Sequence, residues 1–170
     1  MAKLNENKFV VKAKEIWKKH KIIVSVVGGL ILILGFFGIR EASLVDPLDG
    51  VEQVAWNSYT ESWIIPDSER DQIASKMRIA IFKKYGASNQ TIKYFQNNPK
   101  WCYDSEDYQV ARSDIGDDKM SKAIDELNYV KSELKLAHDN GNKLILKIDI
   151  PQERAYKDGI RLTNREFKTD

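Results

Sequence analysis

Residues 22–39 form an unbroken apolar run, IIVSVVGGLILILGFFGI, with no charge and a single hydroxyl, Ser25. Few folds can accept such a segment. As an α-helix it would extend roughly 27 Å at 1.5 Å per residue, close to the hydrocarbon thickness of a bilayer. A helix satisfies its own backbone hydrogen bonds and so tolerates lipid. The run therefore predicts a single transmembrane helix. A helix buried in a soluble core is the competing reading, and the length of the run and its lysine flank argue against it.

The flanks set the orientation. Residues 1–21 carry Lys3, Lys8, Lys12, Lys14, Lys18, Lys19 and Lys21 against Glu6 and Glu15. Downstream stands Arg40, followed by Glu41, Asp46, Asp49 and Glu52. Positive charge is retained on the cytoplasmic side, which places the N-terminus inside and residues 40–170 outside. Cleavage of the run as a signal peptide fits poorly. The site after Ala42 would put Arg40 where a small residue is needed, and the run is longer than a usual h-region. An uncleaved anchor is expected, with the bacterial inner membrane and periplasm favoured.

Four segments follow: a basic cytoplasmic tail over 1–21, the span over 22–39, a membrane-proximal segment over 40–66, and the remainder of an outer α+β domain over 67–170. The tail is strongly basic, at net +5, whereas residues 40–170 are net −3. The near-neutral whole is thus an average of two unlike parts. A mildly acidic outer domain argues against a nucleic-acid partner, and the basic tail suits anionic headgroups of the lipid bilayer. The lone Cys102 can form no internal disulfide, so the outer domain must rely on packing.

The anchor carries two further patterns. Phe9, Ala13, Ile16 and Trp17 fall at helical spacing among the lysines, either as an interfacial helix or within a frayed basic tail. Trp17, Lys18, Lys19 and Lys21 stand where an interfacial anchor belongs. Within the span, Ser25, Gly28, Gly35 and Gly38 gather on one side, and Ser25 with Gly29 makes a small-xxx-small pair. Such a stripe promotes homo-oligomerisation or docking on another membrane helix.

Outside, the spacing of Ile73, Met77, Ala80, Ile81 and Tyr85 predicts a helix over 68–85. It has acids after Pro66, lysines in its last turn and Gly86 as its stop. A short helix is expected over 88–96. Residues 51–64 present Val51, Val54, Ala55, Tyr59, Trp63 and Ile64 as a helical face, with a strand as the alternative. Tyr108 to Arg112 reads as a strand. Met120, Ile124, Leu127, Val130, Leu134 and Ala137 predict one long helix up to Asn140-Gly141. His138 would then sit beside its C-terminal carbonyls. The alternation of Leu144, Leu146, Ile148 and Ile150 predicts a strand, and Lys157-Asp158-Gly159 a turn into a partner strand over 160–163. Residues 164–170 are expected to be loose. The fold class is therefore α+β, about three helices on a small, largely antiparallel sheet.

No catalytic motif emerges. Cys102 and His138 could pair as nucleophile and base, but neither has the local signature of a cysteine enzyme, and Cys102 reads better as a small buried hydrophobe. Asp104, Glu106, Asp107, Asp114, Asp117 and Asp118 are dense in oxygen but lack the spacing of a calcium loop, and Asp117 and Asp118 suit a helix N-terminus. No metal or cofactor is expected. Tyr94, Phe95, Trp101, Tyr103 and Tyr108 concentrate aromatics between the two longer helices, as core for about half and as a partner surface for some of the rest. The expected function is that of a non-enzymatic single-pass membrane protein. Its outer domain would bind a protein partner in an envelope assembly for secretion, transport or lysis. The alternatives are a holin-type oligomerising membrane-lesion protein with a regulatory outer domain, and a small-ligand sensor or surface enzyme.

Overall fold

The structure is a computed structural model in which Lys18 and residues 43–57, 59–138 and 143–168 are described, without the side chain of His138. The chain divides into two units, Met1–Ser43 and Leu44–Asp170. The expected span over 22–39 lies outside the described residues. Among the described residues, no helix is long and apolar enough to cross a membrane.

The second unit is α+β, with five helices and two small antiparallel sheets among the described residues. Its middle is α1, Asp67–Lys84. Pro66 precedes it, Asp67 and Glu69 complement the positive N-terminal end, and Lys83 and Lys84 the negative C-terminal end. Gly86, at φ +84°, turns the chain away. Ile73, Met77 and Ile81 are buried as expected, but so are Arg78, Ile79 and Phe82 on other sides. A helix buried nearly all round runs through a core rather than over it.

Around α1 lie α2, Asn89–Asn97, α3, Gln109–Ile115, and α4, Asp117–Ser132. The Ser88 hydroxyl caps α2 by accepting from the Thr91 amide at 3.4 Å. Gly116, at φ +84°, breaks α3 from α4. The three-stranded sheet has the order β3–β4–β5, all antiparallel, with β3 as Leu134–His138, β4 as Lys143–Ile148 and β5 as Arg165–Lys168. Leu136 faces Leu146 across β3–β4, and Phe167 faces Leu144 across β4–β5. Leu144, Leu146 and Ile148 are buried and alternate with half-exposed Lys143, Ile145 and Lys147, so one face packs on the core.

A short helix α5, Gln152–Lys157, follows β4, and Gly159 then reverses the chain at φ +72°. A Cβ there would lie 3.7 Å from the Ala80 carbonyl oxygen. The two ends of the unit are stitched together: Val45 N donates to Gly159 O and Arg161 N to Val45 O, both at 2.8 Å. Arg165 Nε donates to Leu48 O at 3.1 Å, and Leu48 is fully buried. The remaining sheet is a hairpin of β1, Ala55–Asn57, and β2, Ser62–Ile64.

Several expectations are corrected. Residues 108–112 are not a strand: Ala111 and Ile115, four apart, are both buried, and α3 results. The long helix stops at Ser132, and Leu134–His138 is a strand because it pairs along its whole length with β4; Leu134 is half-buried and Leu136 stays exposed. His138 therefore ends a strand and not the long helix. The partner of β4 is Arg165–Lys168, within the stretch expected to be loose, while Ile160 makes only a parallel bridge to Val45. Over residues 51–64 the strand alternative holds in place of the helical face, as the hairpin.

Candidate functional site

Tyr94, Phe95, Tyr103 and Tyr108 of the 94–108 region come together, but as core, while Trp101 packs beside them against Arg70 and Lys131. Phe95 is fully buried and Tyr108 nearly so, which removes both from any partner surface. Tyr94, Trp101 and Tyr103 are half-buried against them. Ring centroids lie 5.2 Å apart for Tyr94 and Phe95, 5.4 Å for Phe95 and Tyr103, and 5.0 Å for Phe82 and Phe95. These are edge and tilted packings, which match positive ring edges to negative faces. The cluster encloses the Arg78 guanidinium, 3.9 Å from the Tyr103 ring centroid and 5.6 Å from that of Phe95. Arg78 borders the face that helical spacing picks out, three residues before Ile81 and seven before Tyr85, but a charged side chain is not one that an apolar pattern counts as core.

Four of the acids singled out in the same region, Asp104, Asp107, Asp114 and Asp117, are occupied by local structure. Asp104 accepts from the amides of Glu106 and Asp107, both at 2.9 Å. Asp107 accepts from Lys100 Nζ at 2.7 Å, which holds its carboxyl below the ordinary value. Asp114 accepts from Thr91 Oγ1 at 2.6 Å and from the Ser88 amide at 2.7 Å, and its carboxyl is likewise held low. Asp117 pairs with Arg112 at 3.4 Å. Among the described residues no group of three or more His, Cys, Asp or Glu could hold a metal ion. Cys102 is exposed, contrary to its expected burial, with its Sγ 3.8 Å from Lys131 Nζ. Trp101 beside it packs its ring 4.3 Å from the same ammonium, and both contacts hold Lys131 over the loop.

A cleft of about 340 Å³ lies between the end of α1, α4 and α5. On its wall Lys84 Nζ donates to both Glu126 oxygens, at 3.0 and 2.8 Å, and to Asp158 Oδ1 at 2.7 Å. The Tyr85 hydroxyl donates to Glu126 at 2.6 Å. Burial, then the bond to Glu126, pushes the Tyr85 phenol up to about 12. Burial works to raise the Glu126 carboxyl, but the Lys84 and Tyr85 bonds together leave it below its ordinary value. Arg154 stacks on Tyr129 at 3.6 Å and reaches Asp158 at 3.8 Å, and Lys157 pairs with Glu153 at 2.8 Å. Three cations and three carboxylates thus neutralise one another. The arrangement latches three helices and offers neither a nucleophile beside a base nor an unbalanced charge.

The third candidate is the hairpin, in a segment where the sequence left a helical face and a strand as alternatives. Trp56 and Trp63 face each other across it, 4.6 Å between centroids. Asn57 Oδ1 folds the loop by accepting from Tyr59 N at 3.0 Å and Thr60 N at 3.2 Å. At its base, Glu69 Oε1 accepts from the amides of Glu52 and Gln53 at 3.1 and 2.8 Å. Neither face is covered: Trp56 is 48% exposed, Ile64 on the opposite face 42%, and Tyr59 at the tip 95%. The local signal was the polar run Asn57 to Thr60 between Trp56 and Trp63, a turn between two aromatic-bearing strands.

Of the anchor residues, Lys18 is helical and exposed. Trp17, Lys19 and Lys21, and the small residues Ser25, Gly28, Gly29, Gly35 and Gly38, lie outside the described residues. No protein-family model, curated protein or solved structure matches the chain.

Proposed function

We propose that the chain is a non-enzymatic, single-pass membrane protein that uses its outer domain to bind a protein partner in an envelope assembly. Residues 22–39 are the span, with residues 1–21 inside and the domain outside. The observation that carries the binding reading is the β1–β2 hairpin. It leaves two large aromatics and an isoleucine in water on a two-stranded element, which is marginal on its own. Tryptophan and tyrosine dominate binding hot spots. Burying the exposed part of each such side chain contributes about 2 kcal/mol, so the three can anchor the apolar centre of a larger contact. The paired charges of the cleft and the buried aromatics of residues 94–108 support no competing site of comparable exposure.

Two experiments test the proposal. Cys102 is the only cysteine and is exposed, so it reports topology directly. A membrane-impermeant maleimide should label it in intact spheroplasts, and labelling only after lysis would overturn the orientation. A photo-crosslinking residue at Tyr59 of the full-length protein, in its native membrane, should give one discrete protein adduct. The same residue at Lys119, exposed on α4, should not. Equal adducts at both positions, or none, would overturn the hairpin as the binding element.

A further inference from the structure

The charge around the hairpin narrows what it can bind. Residues 41–69 contain seven carboxylates and no lysine or arginine. Most of these acids are occupied within the domain. Asp49 lies 3.7 Å from Lys76 and 3.5 Å from Arg165, and Asp67 lies 3.6 Å from Arg70. Asp46 accepts from the Leu48 amide and the Thr163 hydroxyl, and Glu69 holds the hairpin's base. Glu52 and Glu61 are exposed, one at the hairpin's entry and one in its loop, and neither meets a cation among the described residues. The exposed Trp56, Tyr59 and Ile64 are therefore flanked by uncompensated negative charge.

Three occupants respond differently to that surface. An anionic bilayer would repel it. A symmetric contact with the hairpin of a second copy would set Glu52 and Glu61 against their own images. A basic protein surface would gain on both counts, since lysine and arginine pair with the glutamates and stack on the exposed aromatic faces. Resting on the protein-partner reading above, we infer that the hairpin docks on a basic patch of another protein, with Trp56, Tyr59 and Ile64 in its apolar centre and Glu52 and Glu61 at its rim. Rim charges of this kind act on the encounter rate and its salt dependence more than on the dissociation rate.

The test uses the full-length protein in its native membrane with the Tyr59 photo-crosslinker, and maps the crosslinked peptides. The expected adduct joins Tyr59 to a lysine- or arginine-rich segment of a different protein. Its yield should fall about fivefold or more between 0.1 and 0.5 M salt, and similarly in Glu52→Lys/Glu61→Lys. Glu52→Gln/Glu61→Gln should fall between that variant and the parent. Both pairs are exposed, so unchanged near-ultraviolet circular dichroism establishes that the domain still folds. An adduct on a second copy, or on lipid, overturns the inference. A protein adduct indifferent to salt and to both pairs also overturns it, yet leaves the protein-partner reading standing. The absence of any protein adduct removes both.

Discussion

Arg78 offers the sharpest test of the energetics read from this fold. Its side chain is fully buried within the aromatic cluster, and Nη2 donates to the Lys100 carbonyl oxygen at 3.2 Å. Nε and Nη1 find no acceptor among the described residues. No carboxylate stands within ion-pair distance of the guanidinium among those residues. Stacking on Tyr103 is worth about 2 kcal/mol when desolvated, and a rather long charged hydrogen bond about 1.5 kcal/mol. Against this stand the several kcal/mol needed to strip water from a cation and the two donors left unbonded. The cost exceeds the gain. Arg78→Met keeps an unbranched, flexible side chain, though a shorter one, removes the charge and places a thioether among rings it can contact favourably.

We expect Arg78→Met to stabilise the domain by about 1–3 kcal/mol, within the range seen when apolar side chains replace buried ions. For a unit of this size that corresponds to a rise in Tm of roughly 3–10 °C. Arg78→Ala shares the relief of charge but leaves a cavity costing about 2–5 kcal/mol, so it should melt below Arg78→Met and at or below the parent. The assay is thermal unfolding of the full-length protein in detergent, followed by near-ultraviolet circular dichroism, which sees the packed aromatics. A second readout is Lys131, whose pKa is pushed down by burial and by the nearby Arg78 charge. Its titration should move upward in Arg78→Met. A variant that melts several degrees below the parent would refute the reasoning and show that the caged cation is net stabilising.

The remaining predictions concern the latch and the core. Glu126 is held below its ordinary value of 4.5, so its contribution is present above that pH and is lost as pH falls through the folded value. Lys84 is raised and Tyr85 is raised to about 12, so their contributions are present below the ordinary values and are lost as pH rises through the folded ones. Glu126→Gln should therefore flatten both limbs of a Tm-against-pH curve, and unchanged limbs would refute the latch. Leu146→Ala, at the centre of β4, should cost about 2–5 kcal/mol by denaturant titration, and a cost below 1 kcal/mol would contradict its full burial. Gly159→Ala should cost about 1 kcal/mol, because φ +72° strains any L side chain while the space near Ala80 is ordinary contact distance.

Much of the domain was legible where the deciding forces are local. The limits of α1 and α2 follow from Pro66, Ser88 and Gly86, and the strand β4 from strict alternation, and each expected range lies within a residue or two of the observed one. The failures share one cause. Leu134 continues the α4 spacing from Val130 and also begins the alternation of Leu134 and Leu136, so the sequence satisfies both periods. Pairing with residues 143–148 decides between them, and that energy is not local. Likewise Val110 and Tyr108 favour a strand, but burial of Ala111 and Ile115 wins.

The same argument explains why the aromatics were harder to place than the helices. Trp56, Trp63, Phe95, Trp101 and Tyr108 are equally apolar by composition, yet their fates are opposite. Phe95 and Tyr108 are drawn inward because α1 buries more than one face and leaves Arg78 to be surrounded by rings. Trp56 and Trp63 already cover part of each other across the hairpin, so the domain core gains less by taking them in. Their hairpin pairs only with itself among the described strands, and its loop is closed by Asn57 without help from the core. An element that is locally complete but leaves Trp56 and Tyr59 wet costs the folded domain apolar exposure at no internal benefit. The basic partner proposed above would cover those rings and pair with Glu52 and Glu61 at their edge.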